Sequence, residues 1–300
     1  MTKLAPGFHA DVPMELYHSD CCAGPSVSGS DLLRIEQRCP AVAFAQWGCN
    51  PDRIEESDTA ATLVGRAFHT LILEGQPAFD RQFAVKPEGM SLATADGKAW
   101  KRDQVGKAIL SHDDGMRIFA MSRAVSRDSL TSKAFDNGAP EVTAIVKDPA
   151  TGIFLKSRPD WLRSDTHLCI NLKTSISAKP ADWERQAFSL GYHIGAALAI
   201  DVVGELRRHP AAHVFVIVEK EPPYCAVTCL LKPDVIEWGR LQYRKALDTF
   251  ARCIESGHWP GYADQVIEVG LPRWAEYALE ERHGRGEFET RTPETLTELA

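Results

Sequence analysis

Residues 141–175, EVTAIVKDPATGIFLKSRPDWLRSDTHLCINLKTS, decide the fold. Val142 to Val146 is apolar and β-branched, and reads as a strand. Asp148 to Gly152 is a turn, Ile153 to Lys156 resumes the extended pattern, and Asp160 lies just past it. Ser164 to Thr166 is a second turn, followed by a strand from Leu168 to Leu172. Three adjacent strands would gather Glu141, Asp160, Asn171 and Lys173 at one edge. Side chains alternate faces with period two, so Asn171 and Lys173 point the same way.

Carboxylates and a lysine at that spacing suit metal-assisted phosphodiester hydrolysis. Mg²⁺ takes hard oxygen ligands and keeps several waters. An ammonium group can neutralise charge that develops on a phosphoryl oxygen. The spacing is equally that of solvated charges at strand ends, since clustered ionisable groups are only a probabilistic signal. Residue 171 is Asn. An amide oxygen can bind a metal, but it carries no charge and cannot act as a general base.

Working outward, Pro180 or Ala181 starts a helix with Asp182 and Glu184 in its first turns. It runs through ERQAFSLGYHIGAALAIDVV (184–203), with a kink at Gly191 that can bring Gln186 and Tyr192 toward one cleft. His193 reads as structural. Upstream, ATLVGRAFHTLILE (61–74) is a helix with His69 at its centre. That histidine fits either a buried, hydrogen-bonded role or a metal or phosphate contact. Ser28 or Ser30 can cap a helix from Asp31, and Ala41 to Trp47 continues as a second one.

Phe79 to Gly89 reads as a short strand and loop, and Trp100 to Leu110 and Asp114 to Ser126 as helices. Lys98, Lys101, Arg102, Lys107, Arg117, Arg123 and Arg127 make this region the best duplex-facing candidate. Val214 to Glu219 and Tyr224 to Leu230 are strands, with Glu219, Lys220 and Glu221 near the site rim. Asp234 to Ile254 is a long helix. There is no internal repeat, Walker loop or dinucleotide fingerprint.

Three hundred residues with 44% hydrophobic content can build a sizeable core. The net charge of −7 excludes a generally basic nucleic-acid coat, though not a local basic channel. No run of 18 apolar residues is present, and no apolar signal core opens the sequence, so the expectation is a cytoplasmic protein with no membrane partner. Eight scattered cysteines do not read as a disulfide scaffold or an iron–sulfur set.

The segments SVSGSDLLRI, LVGRAFHTLILE, RPDWL, INLKTS and QAFSLGYHIGAALAIDVV together resemble the nuclease domain of RecE-type exonucleases (exodeoxyribonuclease VIII and its phage relatives). That family belongs to the PD-(D/E)xK superfamily, with lambda exonuclease. The resemblance runs from GFHADVPMELYHSD to GLPRWA. It implies an α/β, restriction-endonuclease-like core: a central mixed β-sheet flanked by helices, with an N-terminal helical elaboration. Residues 1–279 would be one domain with its core at about 58–262, and 280–300 a flexible charged tail.

The resemblance also implies the site. His69, Glu141, Asp160 and Asn171 would hold Mg²⁺, with Mn²⁺ as a substitute. Lys173 would orient the attacking water or stabilise charge. Gln186 and Tyr192 would position the substrate strand or brace the catalytic loop. The implied activity is 5′-to-3′ exonucleolytic hydrolysis at double-stranded DNA ends in phage or prophage recombination. The implied partners are a single-strand annealing protein and further copies in a ring-like homo-oligomer. Asn171 departs from the family pattern, which has a metal-binding aspartate there. The loss of one negative charge predicts weaker metal binding and slower hydrolysis, or a DNA-end-binding protein without catalysis.

Overall fold

The computed structural model describes residues 3–54 and 59–290. In chain order the first elements are β1 (Gly7–His9), α1 (Met14–Tyr17), β2 (Ser26–Ser28), α2 (Gly29–Gln37) and α3 (Pro40–Gln46). Then come α4 (Ala60–Leu73), α5 (Gln76–Gln82), β3 (Phe83–Val85), α6 (Ala95–Asp103), β4 (Ala108–Leu110), α7 (His112–Arg127) and α8 (Thr131–Ala134). The site region supplies β5 (Gly138–Pro140), β6 (Thr143–Lys147), β7 (Phe154–Ser157), β8 (Trp161–Arg163) and β9 (Leu168–Ser175). After these follow α9 (Pro180–Ser189), α10 (Tyr192–Arg207), β10 (Ala212–Glu219), β11 (Ala226–Leu230), α11 (Pro233–Ser256) and α12 (Arg273–Gly284).

A five-stranded mixed sheet runs in the order β11-β10-β9-β8-β5. β9 and β10 are parallel over eight residue pairs, from Leu168 opposite Ala212 to Ser175 opposite Glu219, and the other pairings are antiparallel. The connection between these parallel strands carries α9 and α10, as a crossover must. Ile170, Leu172, Val216 and Val218 pack on one face with Phe68 of α4, Phe79 of α5, and Ile118 and Met121 of α7. On the other face Phe215 and Ile217 meet Trp183 of α9 and Ala196 of α10. The architecture is therefore α/β, a mixed sheet between helical layers, as the resemblance implies.

The arrangement of the first three predicted strands differs from expectation. They are not neighbours in one sheet. β6 and β7 form a hairpin inside a separate four-stranded sheet, β1-β6-β7-β2, packed through Ala144, Val146 and Leu155 on α10 and α11. β9 is reached only through the short β8, which the sequence reading passed over. Three residues are too few to show a period. The expected helix from Trp100 to Leu110 also divides. α6 ends at Asp103, Gly106 takes φ +82°, and Ala108–Leu110 pairs in parallel with Phe83–Val85. The reading of Phe79 to Gly89 as strand and loop misses α5, although β3 follows as expected.

The chain divides into two compact units, Met1–Gly261 and Tyr262–Ala300. The division falls before the residue-280 boundary expected for the tail, and α12 spans that residue. In the second unit α12 buries none of its residues, and Arg285 pairs with Glu281 and Glu287. Residues 291–300 of the expected flexible tail lie outside the described residues. Among the described residues, no single helix is long and apolar enough to cross a membrane.

The expected kink at Gly191 is a full break. α9 and α10 meet at 79°, and Gly191 takes φ +65°. A β-carbon there would lie 2.2 Å from Leu33 Cδ1 of α2. Left-handed backbone and a close neighbour both favour glycine. Gly191→Ala should lower stability by about 2 kcal/mol in urea unfolding. An unchanged midpoint would show that the bend does not depend on this residue.

Candidate active site

A cavity of about 1520 Å³ opens between the two sheets, α2, α4 and the start of α10. His69, Glu141, Asp160, Asn171, Lys173 and Tyr192 all line it. Each arrives by a different route. His69 comes from the middle of α4, while its neighbours Ala67 and Phe68 anchor that helix in the core. Glu141 lies between β5 and β6. Asp160 immediately precedes β8, and Asn171 and Lys173 occupy alternate positions of β9. Gln186 is placed elsewhere: it is not among the cavity-lining residues, and its Oε1 accepts a hydrogen bond from Ser175 Oγ at 2.6 Å. It therefore braces the end of β9.

Asp160 is buried, and its Oδ2 accepts the Leu172 backbone N–H at 2.6 Å. This bond ties the carboxylate to β9 and points it into the cavity beside Asn171. His69 Nδ1 stands 3.7 Å from the same oxygen, beyond hydrogen-bond range. Burial lowers the basicity of His69; Asp160 opposes that shift and Lys173 adds to it. A neutral imidazole is the form that can donate a lone pair.

Glu141 has the unusual backbone. Its φ is +52°, a left-handed conformation that a non-glycine residue holds only where its surroundings enforce it. Its N–H donates to the Asp160 carbonyl at 3.1 Å, which locks the two acidic residues together. Burial, then the Asp160 charge, push the Glu141 carboxyl up to about 7. Arg158 offsets part of this, with Nε 3.9 Å from Glu141 Oε2. Arg158 itself is pinned by Thr143 Oγ1, the Val12 carbonyl and the Tyr17 ring.

Asn171 is engaged by a residue that the sequence did not flag. Its Oδ1 lies 2.7 Å from Nε2 of His213, on β10. Burial drives the His213 pKa down to about 3, with Lys173 contributing in the same direction. The ring is thus neutral, and an Nε2–H tautomer donates to the amide oxygen. Its buried Nδ1 has no partner, the arrangement that leaves an acceptor, not a donor, unsatisfied. The only available signal was the polar residue at the second position of β10, whose register to β9 is set non-locally.

Lys173 lies over the Tyr192 ring, Nζ 5.5 Å from its centroid. Tyr192 stacks in turn on Phe215 and packs against Trp183. The ammonium is thus held by an aromatic wall and not by a carboxylate, which leaves its charge directed at the cavity. The remaining cationic lining is Arg66, Arg81, Lys156 and Arg158. None of the Lys98-to-Arg127 set read as the duplex-facing candidate lines the cavity. Glu219 is not among the lining residues either; its Oε1 accepts the Ala178 N–H.

Among the described residues, no group of three or more His, Cys, Asp and Glu side chains is arranged to hold a metal ion. The oxygen donors facing the cavity are the two carboxylates and the Asn171 amide. The third of these donors is a neutral amide bonded to a neutral histidine. Carboxylate oxygens are the donor type that a hard divalent cation takes. Burial, with the Asp160 charge adding to it, holds Glu141 partly protonated near neutral pH, and a cation beside the two carboxylates would offset both effects.

A family model described as a PDDEXK-like domain of unknown function (DUF3799) matches residues 28–268. The chain belongs to this family. Its fold is that of the PD-(D/E)xK-like nuclease superfamily. A crystallised protein from Eubacterium rectale, described as a candidate exonuclease, is 13% identical to it with a TM-score of 0.61. That match covers 90% of this chain and 99% of the other, and at such low identity the likeness is one of fold. No curated protein matches the sequence. Both Pro159-Asp160 and Asn171-Leu172-Lys173 lie within the matched span.

The Glu141 environment has a measurable consequence. Its folded-state pKa of about 7 lies above the ordinary 4.5. The unfolded chain therefore releases this proton first, and stability falls as pH rises from about 4.5 to 7, then levels off. In metal-free buffer, Glu141→Gln should match the wild type at pH 4 and melt roughly 2–5 °C higher at pH 8. Added Mg²⁺ should narrow the pH 8 gap. Equal melting temperatures at both pH values would contradict the shift.

Proposed function

We propose that this protein is a metal-dependent exodeoxyribonuclease of the RecE type, attenuated by Asn171. The observation that supports this reading is the gathering of His69, Glu141, Asp160, Asn171 and Lys173 around one cavity in a nuclease-superfamily fold. Glu141, Asp160 and Asn171, with His69 beside them, would hold Mg²⁺ or Mn²⁺. The bound cation would polarise the scissile phosphate and acidify a water.

The chain's own groups do the remaining work. Lys173, its ammonium directed into the cavity from the aromatic wall, compensates negative charge on the phosphoryl oxygens. Glu141, poised near neutrality, can accept a proton from the attacking water. Asp160, held by the Leu172 N–H, stays fixed while charge redistributes. Tyr192 offers a rigid flank to the substrate strand. Arg66 and Arg81 supply cations on the lining where a polyanion would enter. The substrate in this reading is a double-stranded DNA end degraded 5′-to-3′. A single-strand annealing protein, a ring-like homo-oligomer and a bacterial or phage cytoplasmic setting complete the proposal.

One observation favours a second reading. The Asn171 amide oxygen is already engaged by the neutral, buried His213. A site with one charge missing and its replacement held by a hydrogen bond suits a protein that binds duplex ends without cutting them.

The test uses linear duplex DNA with Mg²⁺ or Mn²⁺ and measures nucleotide release. The exonuclease reading expects weak release by the natural sequence and at least about tenfold faster release by Asn171→Asp. Lys173→Ala in the Asp background should remove most of that gain. End binding without release by either form would support the binding-only reading. Neither release nor end binding by either form would remove both.

A further inference from the structure

A second reactive group lies behind the cavity wall. Cys21 and Cys22 are neighbours in sequence, and adjacent extended residues send their side chains to opposite sides. Here both sulfurs turn the same way, with Sγ atoms 3.8 Å apart. Both side chains are buried, 1% and 0% exposed, against Ile145 and Phe154.

The buried lysine beside them completes the arrangement. Lys156, on β7, is only 4% exposed. Its Nζ donates to the Tyr17 carbonyl at 2.7 Å and lies 3.7 Å from Cys21 Sγ. It also sits over the Tyr17 ring, 5.1 Å from the centroid. No described carboxylate forms an ion pair with it, and a buried ammonium needs a counter-charge. The Cys21 sulfur is the group placed to supply it. Consistently, the contact with Cys22 and the Lys156 charge lower the pKa of the Cys21 thiol, while that of the Cys22 thiol is raised. Lys156 and Tyr17 also line the cavity, so Cys21 lies one side-chain layer behind its surface.

We propose that Cys21 and Cys22 form a peroxide-sensitive dithiol whose oxidised state is a disulfide between adjacent residues, and that Cys21, paired with Lys156, is the attacking sulfur. The Cys21 thiolate attacks one peroxide oxygen, and the O–O bond breaks. This gives a sulfenic acid and hydroxide, which takes a proton from solvent and leaves as water. Cys22 sulfur then attacks Cys21 sulfur. The S–S bond forms, the S–O bond breaks, and hydroxide departs with the Cys22 proton as a second water. The two sulfurs together lose two electrons, and the hydroperoxide gains them.

The product is built to be reversible. Consecutive α-carbons are about 3.8 Å apart across a trans peptide, below the usual disulfide range. Such a ring is strained and easily reduced by thiols. Closing it also removes the anion facing Lys156, and it closes no loop of chain that would compensate. Oxidation should therefore loosen the Lys156–Tyr17 part of the cavity wall, in contrast to a structural disulfide.

The protein carries its own reference, because Cys225 is exposed. The full chain is treated with limiting hydrogen peroxide at pH 7, alkylated, digested with trypsin and followed by mass spectrometry. Peptide 4–34 contains both cysteines and no others. It should lose two hydrogens roughly ten times faster than the Cys225 peptide is oxidised, because the Lys156 ammonium favours the attacking thiolate at Cys21. Cys22→Ser should stop at a sulfenic acid on Cys21 that dimedone labels. Lys156→Gln should slow the reaction about tenfold. The oxidised wild type should melt at a lower temperature and recover with dithiothreitol. Oxidation of Cys225 ahead of the pair would overturn the proposal, and this comparison requires no variant to fold. Ring closure without a fall in melting temperature would overturn the Lys156 pairing. None of these readouts involves DNA or a divalent cation, so they stand apart from the nuclease assays.

Discussion

The alternation of β9 against β10 is the constraint on which the structure depends. Eight parallel residue pairs hold the two strands in register. Ile170 and Leu172 then enter the helical core formed by α4, α5 and α7, while Asn171 and Lys173 face the cavity. A slip of one residue would exchange the two sets and place a lysine and an amide in the core. The apolar positions thus fix the direction of the polar ones. The site is accurate because it is the reverse face of a well-packed strand.

Around that strand the charged groups are held by backbone, not by one another. Asp160 is fixed by the Leu172 N–H and Glu141 by the Asp160 carbonyl. Lys173 rests on an aromatic wall. Each group keeps its charge, or a raised pKa, available to a ligand, because none is consumed in a strong ion pair within the cluster. The weak His69–Asp160 and Arg158–Glu141 contacts follow the same pattern. The left-handed φ of Glu141 fits this arrangement, since backbone strain at a cavity wall is tolerated where surrounding packing enforces it.

Asn171 and His213 form the neutral part of this charged cluster. An aspartate at residue 171 would lie beside a buried imidazole, a pairing that favours the charged forms of both. An amide there lets the histidine stay neutral at little cost. The amide and its histidine partner are therefore physically matched, a coupling between two strands that are 42 residues apart at this point.

The local sequence was enough to place α4, α7, α10, α11 and the strands β6, β7, β9 and β10, because each carries a long run of apolar periodicity or clear turn residues. It also placed Asp160, Asn171 and Lys173 on short local motifs, and the break at Gly191 on a single glycine. The five-segment resemblance brought in His69, which spacing could not distinguish from a buried structural histidine. Other features were beyond local reading. The division into two sheets, the three-residue β8, and the diversion of Gln186 to Ser175 arise from contacts far apart in the chain. The same holds for His213 against Asn171 and for Cys21 against Lys156. Periodicity reports which face of an element is buried; only packing decides which other element that face meets. The sequence by itself therefore determined the chemistry available to this protein. The tertiary structure decided which charges share a cavity, which are neutralised, and which are left facing a ligand.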